Sequence, residues 1–278
     1  MRDADCVRFL QDTLPRLGLR WAGFRKVRRT VCKRIGRRMR DLGLSGLDDY
    51  SRFLEEHAEE WSHLDTLCRI PISRFCRDRG VFDALRDRLL PSLANHALGF
   101  PDPTIRCWSV GCASGEEVYS LRLLWDLSLA REFPDVRLSV LGTDSDQVML
   151  DRAARACYPR GSFKDAPADW LARAFRERDG EYCLHAEFRG DVEFSCQDIR
   201  AEQPGGPFDL VLCRNLAFTY FAQELQRTTL AAITERMRPG GYLVLGAHEH
   251  LPAPAGGFTP ADGALPIWRK GAAKQGPK

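Results

Sequence analysis

Apolar residues recur every three or four positions through the first hundred residues and then gather into short continuous runs. That change of period predicts a helical segment followed by a strand-and-helix body. Val7, Leu10, Leu14 and Leu17 form one helical stripe that stops near Gly18, and Phe24, Val27, Val31, Ile35 and Met39 form a second among arginines, with Gly43 as its stop. Ser45 and Asp48 read as a capping box opening a helix through Tyr50 and Phe53, and a further helix carries Trp61, Leu64 and Leu67. Strand patterning begins only near residue 105. Ile105 to Val110, Val136 to Leu141, Val192 to Phe194 and Leu210 to Cys213 read as strands, and Glu116 to Ala130, Gln147 to Ala156 and Gln223 to Met237 as helices; the last leads through an RPGG turn into YLVLG. Such alternation implies an α/β fold with a parallel sheet covered by helices. Residues 157–190 break the rhythm and are expected to hold a small helix and a β-hairpin around Tyr182 to Phe188. The expected domains are 1–95, helical; 96–270, the sheet, with 157–195 as an inserted β-subdomain; and 271–278, a flexible tail.

Composition sharpens this picture in two places. The chain is 278 residues, 44% hydrophobic and 28% charged, a globular balance, with no apolar run near the roughly 18–20 residues needed to span a bilayer. Its start, MRDADCVRFL, lacks the plan of an export signal, so a cytoplasmic location without membrane insertion is expected. The ten cysteines are scattered, without a CxxC pair, and are expected to be reduced, structural residues. The net charge of +3 hides an asymmetry: residues 20–40 hold ten Lys or Arg and no acid, leaving the rest at −7. A basic helix on an acidic body suggests a local docking surface rather than general nucleic-acid affinity.

The chemical signal is the turn after the first strand, WSVGCASGEEVYS (108–120). Glycine there lets the backbone at Gly111 approach a ligand at the carboxyl edge of the sheet. The spacing is neither GxGxxG nor GxxxxGK[ST], and Glu116 and Glu117 would repel phosphates, so a cationic or hydroxyl-rich ligand fits better. The second strand ends LGTDSD, where Asp144 is placed to accept from ribose hydroxyls and Asp146 to cap the next helix. A nucleoside without phosphates, held beside carboxylates, points to S-adenosylmethionine and its sulfonium charge.

These motifs resemble those of the CheR-type protein-glutamate O-methyltransferases over nearly the whole chain. ISRFCRD (72–78) is similar to that family's T-x-F-F-R-[DE], WSVGCASGEEVYS to W-S-A-x-C-S-T-G-E-E-P-Y-S, LGTDSDQVMLDRA to A-T-D-I-D-x-x-x-L-x-x-A, and FDLVLCRN to F-D-x-I-F-x-R-N. The resemblance implies a Rossmann-like class I methyltransferase sheet behind an N-terminal all-helical domain, with S-adenosylmethionine as methyl donor and S-adenosylhomocysteine as product. It implies cofactor roles for Ser73, Arg77, Glu116, Asp144, Asp198, Ile199, Arg214 and Asn215: Arg77 on the methionine carboxylate, Glu116 on its ammonium, Asp144 on the ribose and Asp198 on the adenine amine. Each has a plainer alternative, such as Glu116 complementing a helix dipole or Asn215 forming a turn. Three departures stand out: RNLAFTYF carries one extra residue before Tyr220, GAHEHL replaces G-H-S-E-S-L, and Cys76 replaces a phenylalanine. The hairpin insertion is also short, which hints at an enzyme independent of a receptor's tether peptide.

A glutamate acceptor, with an ordinary pKa of about 4.3, is ionised at neutral pH and needs no general base. The expectation is therefore alignment and desolvation without a triad, a metal or an obligatory histidine, with Arg77, Arg214 and Tyr220 as the catalytic candidates that orient donor and acceptor. The basic helix 24–40 is expected to dock an acidic helical partner such as a chemoreceptor cytoplasmic domain, the enzyme acting as a monomer. Two other readings stay open: a same-fold methyltransferase acting on another protein or a small carboxylate, and an S-adenosylmethionine-binding regulator or nucleic-acid binder.

Overall fold

The computed structural model describes residues 2–271, so the expected tail, from 272 on, lies outside the described residues. Contacts divide the chain into two units, one of residues 71–218 and 227–278, the other of 1–70 with 219–226.

The larger unit is built on a seven-stranded sheet. In chain order the strands of this unit are β1 (Thr104–Val110), β2 (Arg137–Asp144), β3 (Cys157–Tyr158), β4 (Phe175–Arg178), β5 (Glu181–Leu184), β6 (Val192–Cys196), β7 (Phe208–Cys213), β8 (Met237–Val244), β9 (Phe258–Pro260) and β10 (Ile267–Lys270). The main sheet runs β6-β2-β1-β7-β8-β10-β9. Its first five strands are parallel, and β10 turns antiparallel to β8. The continuous apolar runs of the sequence are the central strands, as two-sided burial requires: all six residues of β7 are buried. Trp108 sits fully buried on β1 with its indole N–H donating to Thr143 Oγ1 at 2.9 Å. β8 begins at Met237 and takes in the RPGG segment, which was expected to be a turn; the register shift between Phe208 and Leu210 on β7 accommodates it.

Residues 71–95 belong to this unit rather than to the helical one, against the expected boundary at 95. Phe75, Val81, Phe82, Leu85, Leu89, Leu90 and Leu93 all join its core. A helical stripe states which face is buried but not which partner buries it. The interruption at 157–190 is a three-stranded antiparallel sheet, β3-β5-β4. Its hairpin joins β4 to β5 through Asp179 and Gly180, both at positive φ, and therefore lies upstream of the expected 182–188. The dipeptide Asp-Gly is the hairpin signal, and the apolar stretch beyond it closes the second strand and a 3-10 turn. Phe75 stacks on Phe163 at 4.7 Å and meets Tyr158 edge-on at 4.9 Å, tying the 71–78 segment to this small sheet.

The other unit is helical: Asp3–Thr13, Trp21–Phe24, Arg28–Asp41, Leu47–Glu56 and Glu60–Cys68. Gly18 and Gly43 end their segments at φ 68° and 70°, as expected of left-handed stops. The capping box does not form. Gly46 holds the N-cap position without a side-chain cap, because the helix starts one residue later than Ser45 would require. The cysteine expectation is also corrected. Cys6 is disulfide-bonded to Cys32, and Cys157 to Cys183. Packing of Asp3–Thr13 on Arg28–Asp41 and the register of β3 on β5 bring together residues 26 positions apart, a juxtaposition no local spacing reveals. Six cysteines remain free, of which Cys196 alone is exposed among the described residues.

The helical unit's buried polar anchor is Glu60. It accepts from Arg38 Nε and Nη2 at 3.0 and 2.6 Å and from the Tyr50 hydroxyl at 2.8 Å. Burial pushes its pKa up, but the hydrogen bonds from Arg38 and Tyr50 prevail and hold it below the ordinary glutamate value. Among the described residues no helix is long and apolar enough to cross a membrane.

Two measurements test this description. A thiol probe on the native, unreduced protein labels Cys196 first, since burial pushes the Cys68 and Cys76 thiols up to about 12. Denaturation then exposes six thiols and added reductant all ten; ten reactive thiols without reductant would refute both bridges. The Glu60 contribution is present above its unfolded pKa and is lost as pH falls through the lower, folded one, so stability drops below about pH 4.5. In Glu60→Gln that acid-side slope flattens, measured as urea midpoints between pH 3 and 6.

Candidate cofactor and active site

The carboxyl ends of β1, β2 and β7 place three short segments side by side. After β1 the chain turns through Gly111 (φ 68°), Ala113 (φ 47°) and Gly115 (φ 86°) before the helix Glu116–Leu124. Gly111 and Cys112 both donate to Thr143 O, at 2.8 and 3.0 Å, so the loop folds back over the end of β2. A Cβ on Gly115 would lie 2.8 Å from the Ala153 side chain, and one on Gly142 within 2.9 Å of Val118, Cys112 and Phe194. Both positions need glycine for close packing, not only for turning.

Asp144 ends β2. Its Oδ2 accepts from Ala113 N and its Oδ1 from Asp146 N, each at 2.9 Å, while Asp146 caps the helix Gln147–Arg155 through Val148 N and Met149 N. The Asp146 cap read from LGTDSD is therefore present. Asp144 is half-buried and fixed by backbone donors at the sheet edge.

Glu116 is the most telling group. It is 3% exposed, and its oxygens accept from Ser114 Oγ at 2.8 Å and Ser162 Oγ at 3.3 Å. Both donors are neutral, and no cationic side chain pairs with it among the described residues. A buried carboxylate without a counter-charge is costly unless something cationic meets it. The Glu116 position at the first turn of its helix offsets part of that cost but does not cancel it.

Arg214 follows β7 and is almost wholly buried, its side chain 2% exposed. Nη1 donates to Glu117 Oε2 at 2.8 Å, and Nη2 donates to Asp78 Oδ2 at 2.7 Å and to Arg77 O at 2.6 Å. Glu117 is held in turn by Ser109 Oγ at 2.7 Å. This guanidinium is a strut between β7, the Glu116 helix and the 71–78 segment, with its charge doubly met. The expected role of presenting a free cation to an acceptor carboxylate is not available to it here. The same segment is anchored by Phe75 N to Ser162 O at 2.9 Å and Cys76 N to Ser120 Oγ at 2.9 Å. Cys76, where a phenylalanine was expected, is thus a packed core residue. Arg77 donates to Ile72 O at 2.9 Å, and Ser73 lies half-buried beside it.

Asn215 (φ 56°) donates its backbone N–H to Glu249 Oε2 at 2.7 Å, and Gly246 N donates to the same oxygen at 2.7 Å. Glu249, 4% exposed in the GAHEHL segment, is a residue that sequence reasoning missed, and no local signal marks it. Asp198 differs from expectation. Both its oxygens accept from Arg200, with Nη2 to Oδ2 at 2.6 Å and Nε to Oδ1 at 3.0 Å, so its carboxylate is already paired. Ile199 is 7% exposed behind it. Tyr220 is not grouped with these residues: it belongs to the helical unit, 5.0 Å from the Phe24 ring, and its carbonyl accepts from Arg20 N at 2.8 Å.

The arrangement is a sheet-edge crevice with close-approach glycines, a fixed acid and an unneutralised buried acid. It suits a cation bearing hydroxyls. Comparison with known proteins agrees. Residues 72–263 match the CheR methyltransferase SAM-binding domain, and residues 26–64 match the CheR methyltransferase all-alpha domain. The chain belongs to the CheR methyltransferase family. Its cofactor is S-adenosylmethionine. A 104.1 kDa uncharacterized protein of Rhodobacter capsulatus is 33% identical over 86% of this chain, which spans only 25% of that relative. A chemotaxis protein methyltransferase of Listeria monocytogenes is 29% identical over 74% of this chain and 76% of its own length. One from Escherichia coli is 28% identical over 90% and 86%.

Replacing Glu116 by Gln keeps the hydroxyl contacts and removes the charge, so affinity for S-adenosylhomocysteine falls about tenfold to a hundredfold by calorimetric titration. Unchanged affinity would refute an ammonium partner. Arg214→Met alone leaves two half-buried acids without their shared cation and destabilises by about 3 kcal/mol. Adding Glu117→Gln and Asp78→Asn recovers much of that loss in urea unfolding.

Proposed function

We propose that this CheR-family methyltransferase forms methyl esters on glutamate side chains of an acidic helical protein such as a chemoreceptor cytoplasmic domain. The observation that carries the proposal is Glu116, a buried carboxylate bound only by hydroxyls, at the mouth of a glycine-lined sheet edge. The homologues named chemotaxis protein methyltransferase support the substrate class.

In this reading Gly111 lets the backbone approach the cofactor, Glu116 holds the methionine ammonium, Asp144 the ribose, and Arg77 the methionine carboxylate. Ser73, Ile199 and Asn215 line the same pocket, and Asp198 contributes through a carboxylate oriented by Arg200. The cofactor supplies an activated methyl on a cationic sulfur. The protein supplies alignment: the acceptor is already an anion at neutral pH, so no residue needs to remove a proton. Arg214 acts by fixing Glu117 and the 71–78 segment, which leaves the acceptor anion unquenched. Tyr220, which follows the one extra residue in RNLAFTYF, remains the candidate to orient the acceptor.

The acceptor is recruited by the helix Arg28–Asp41. Arg29, Lys33, Arg37 and Arg40 are exposed along it at spacings of four, four and three, and no acid pairs with them among the described residues. By contrast Arg28, Arg34 and Arg38 are engaged by Asp3, by backbone carbonyls and by Glu60. Four like charges on one face repel one another, and an acidic partner relieves that. The reaction is read in the cytoplasm, by a monomer.

The test is transfer of labelled methyl from S-adenosylmethionine to receptor cytoplasmic fragments, followed by base-labile release of methanol and mapping of the modified glutamates. Arg29→Glu, Lys33→Glu and Arg37→Glu together lower kcat/KM about tenfold or more while leaving S-adenosylhomocysteine affinity unchanged, and added salt lowers the wild-type rate steeply. Methylation of a small free carboxylate at equal efficiency, insensitive to salt, would favour a different acceptor.

A further inference from the structure

A second cleft opens at the opposite, amino edge of the same sheet, about a strand's length from the cofactor crevice. Its volume is about 540 Å³, within the range of small-molecule sites, and it lies wholly in the larger unit. Three guanidiniums converge on it from the starts of neighbouring strands: Arg106 on β1, Arg137 on β2 and Arg238 on β8. Two acids, Asp102 and Asp209, the hydroxyls of Thr104 and Ser139, and the rings of His96 and Phe100 also line it.

The three arginines hold far more donor capacity than the described residues use. Each guanidinium presents five N–H groups. Arg238 Nε meets Asp209 Oδ1 at 3.2 Å, and Arg106 Nη2 reaches Gly205 O only at 3.4 Å. Arg137 has ion pairs only at the long distances of 3.8 Å to Asp102 and 4.0 Å to Asp191. Both carboxylates in the cleft are in part engaged by other donors, Asp209 Oδ2 accepting from Arg106 N at 2.9 Å and Asp102 Oδ1 from Thr104 Oγ1 at 3.0 Å. Three guanidiniums against two carboxylates leave a net positive charge and spare N–H groups, and phosphate is a group whose shape matches an arginine fork. Beside these donors Phe100 is 44% exposed, with the Arg238 guanidinium 5.5 Å from its ring centroid. A large exposed ring flanked by a flat cation is a stacking surface for a planar base.

We propose that this cleft binds a purine mononucleotide, its phosphate held by Arg106 and Arg137 and its base lying against Phe100 and Arg238. The site is separate from the methyl-donor pocket and rests on none of the residues assigned there. The cofactor crevice has a buried acid that repels phosphate; this cleft has guanidiniums that attract it. The two edges of one sheet therefore select opposite charges.

The test is calorimetric titration of GMP and AMP into the full chain saturated with S-adenosylhomocysteine, which keeps an adenosine moiety out of the donor pocket. The expected result is one saturable site that binds a mononucleotide about tenfold more tightly than guanosine or inorganic phosphate. Phe100→Ala and Arg137→Ala, both at exposed positions, each weaken it about fivefold or more while S-adenosylhomocysteine affinity stays unchanged. Absence of binding by both nucleotides at about 1 mM, affinity indifferent to both substitutions, or equal affinity for inorganic phosphate would each overturn the proposal. Loss of S-adenosylhomocysteine binding in the Glu116 variant with nucleotide binding intact separates a failure at one edge from a failure at the other.

Discussion

A guanidinium withdrawn from water costs little only where its charge is met, and Arg214 organises this edge of the sheet by pairing both terminal nitrogens while its buried Nε stays unpaired. Its two terminal nitrogens reach three partners on two other stretches of chain: Glu117 at the helix start, and the Asp78 carboxylate and Arg77 carbonyl on the segment after Ile70. Once those partners are committed, the helix carrying Glu116 and the segment carrying Ser73 and Arg77 have fixed places beside β7. The pocket's electrostatics follow from the same pairing. Glu117 is neutralised and Glu116 is not, so adjacent residues of identical type leave one site for a positive ligand group.

That contrast also marks how far sequence reading goes. Strands were legible because β1, β2 and β7 are short, mostly apolar runs, β1 closed by Gly111 and β2 by Asp144, and Asp144 and Asp146 could be told apart because each occupies a different step of the strand-to-helix turn. The choice of which acidic neighbour stays unpaired was not legible, since it depends on a residue 97 positions away. The pairing of Asp198 was not legible for a local reason: Arg200 curls back on it, a contact that side-chain length allows but spacing alone does not demand. Both disulfides, the boundary after Ile70 and the role of Glu249 are likewise products of register and packing rather than of pattern.

Chemically, the reaction asks little of side-chain acid–base power and much of geometry. Aspartate at a strand end, glycines that admit a close approach and a segment locked by Phe75, Cys76 and Arg214 are all positional devices. The proposed recruitment is a separate matter, resting on charge on the helix Arg28–Asp41, where Arg28, Arg34 and Arg38 are engaged while Arg29, Lys33, Arg37 and Arg40 are exposed. Affinity for the methyl donor and affinity for the acceptor can therefore change independently.

The helical unit is not one continuous stretch of chain. Residues 219–226 fold with it, through the Leu19–Phe221 bridge and the close passage of Gly23 under Thr219, where even a Cβ would sit 2.4 Å from the carbonyl oxygen. A gene truncated at the apparent boundary would thus strand eight residues whose folding partners have been deleted. Recombination between relatives would meet the same obstacle. A crossover near position 70 transplants a helical domain without its own closing segment, so swapping the amino-terminal unit demands a matching graft at residues 219–226.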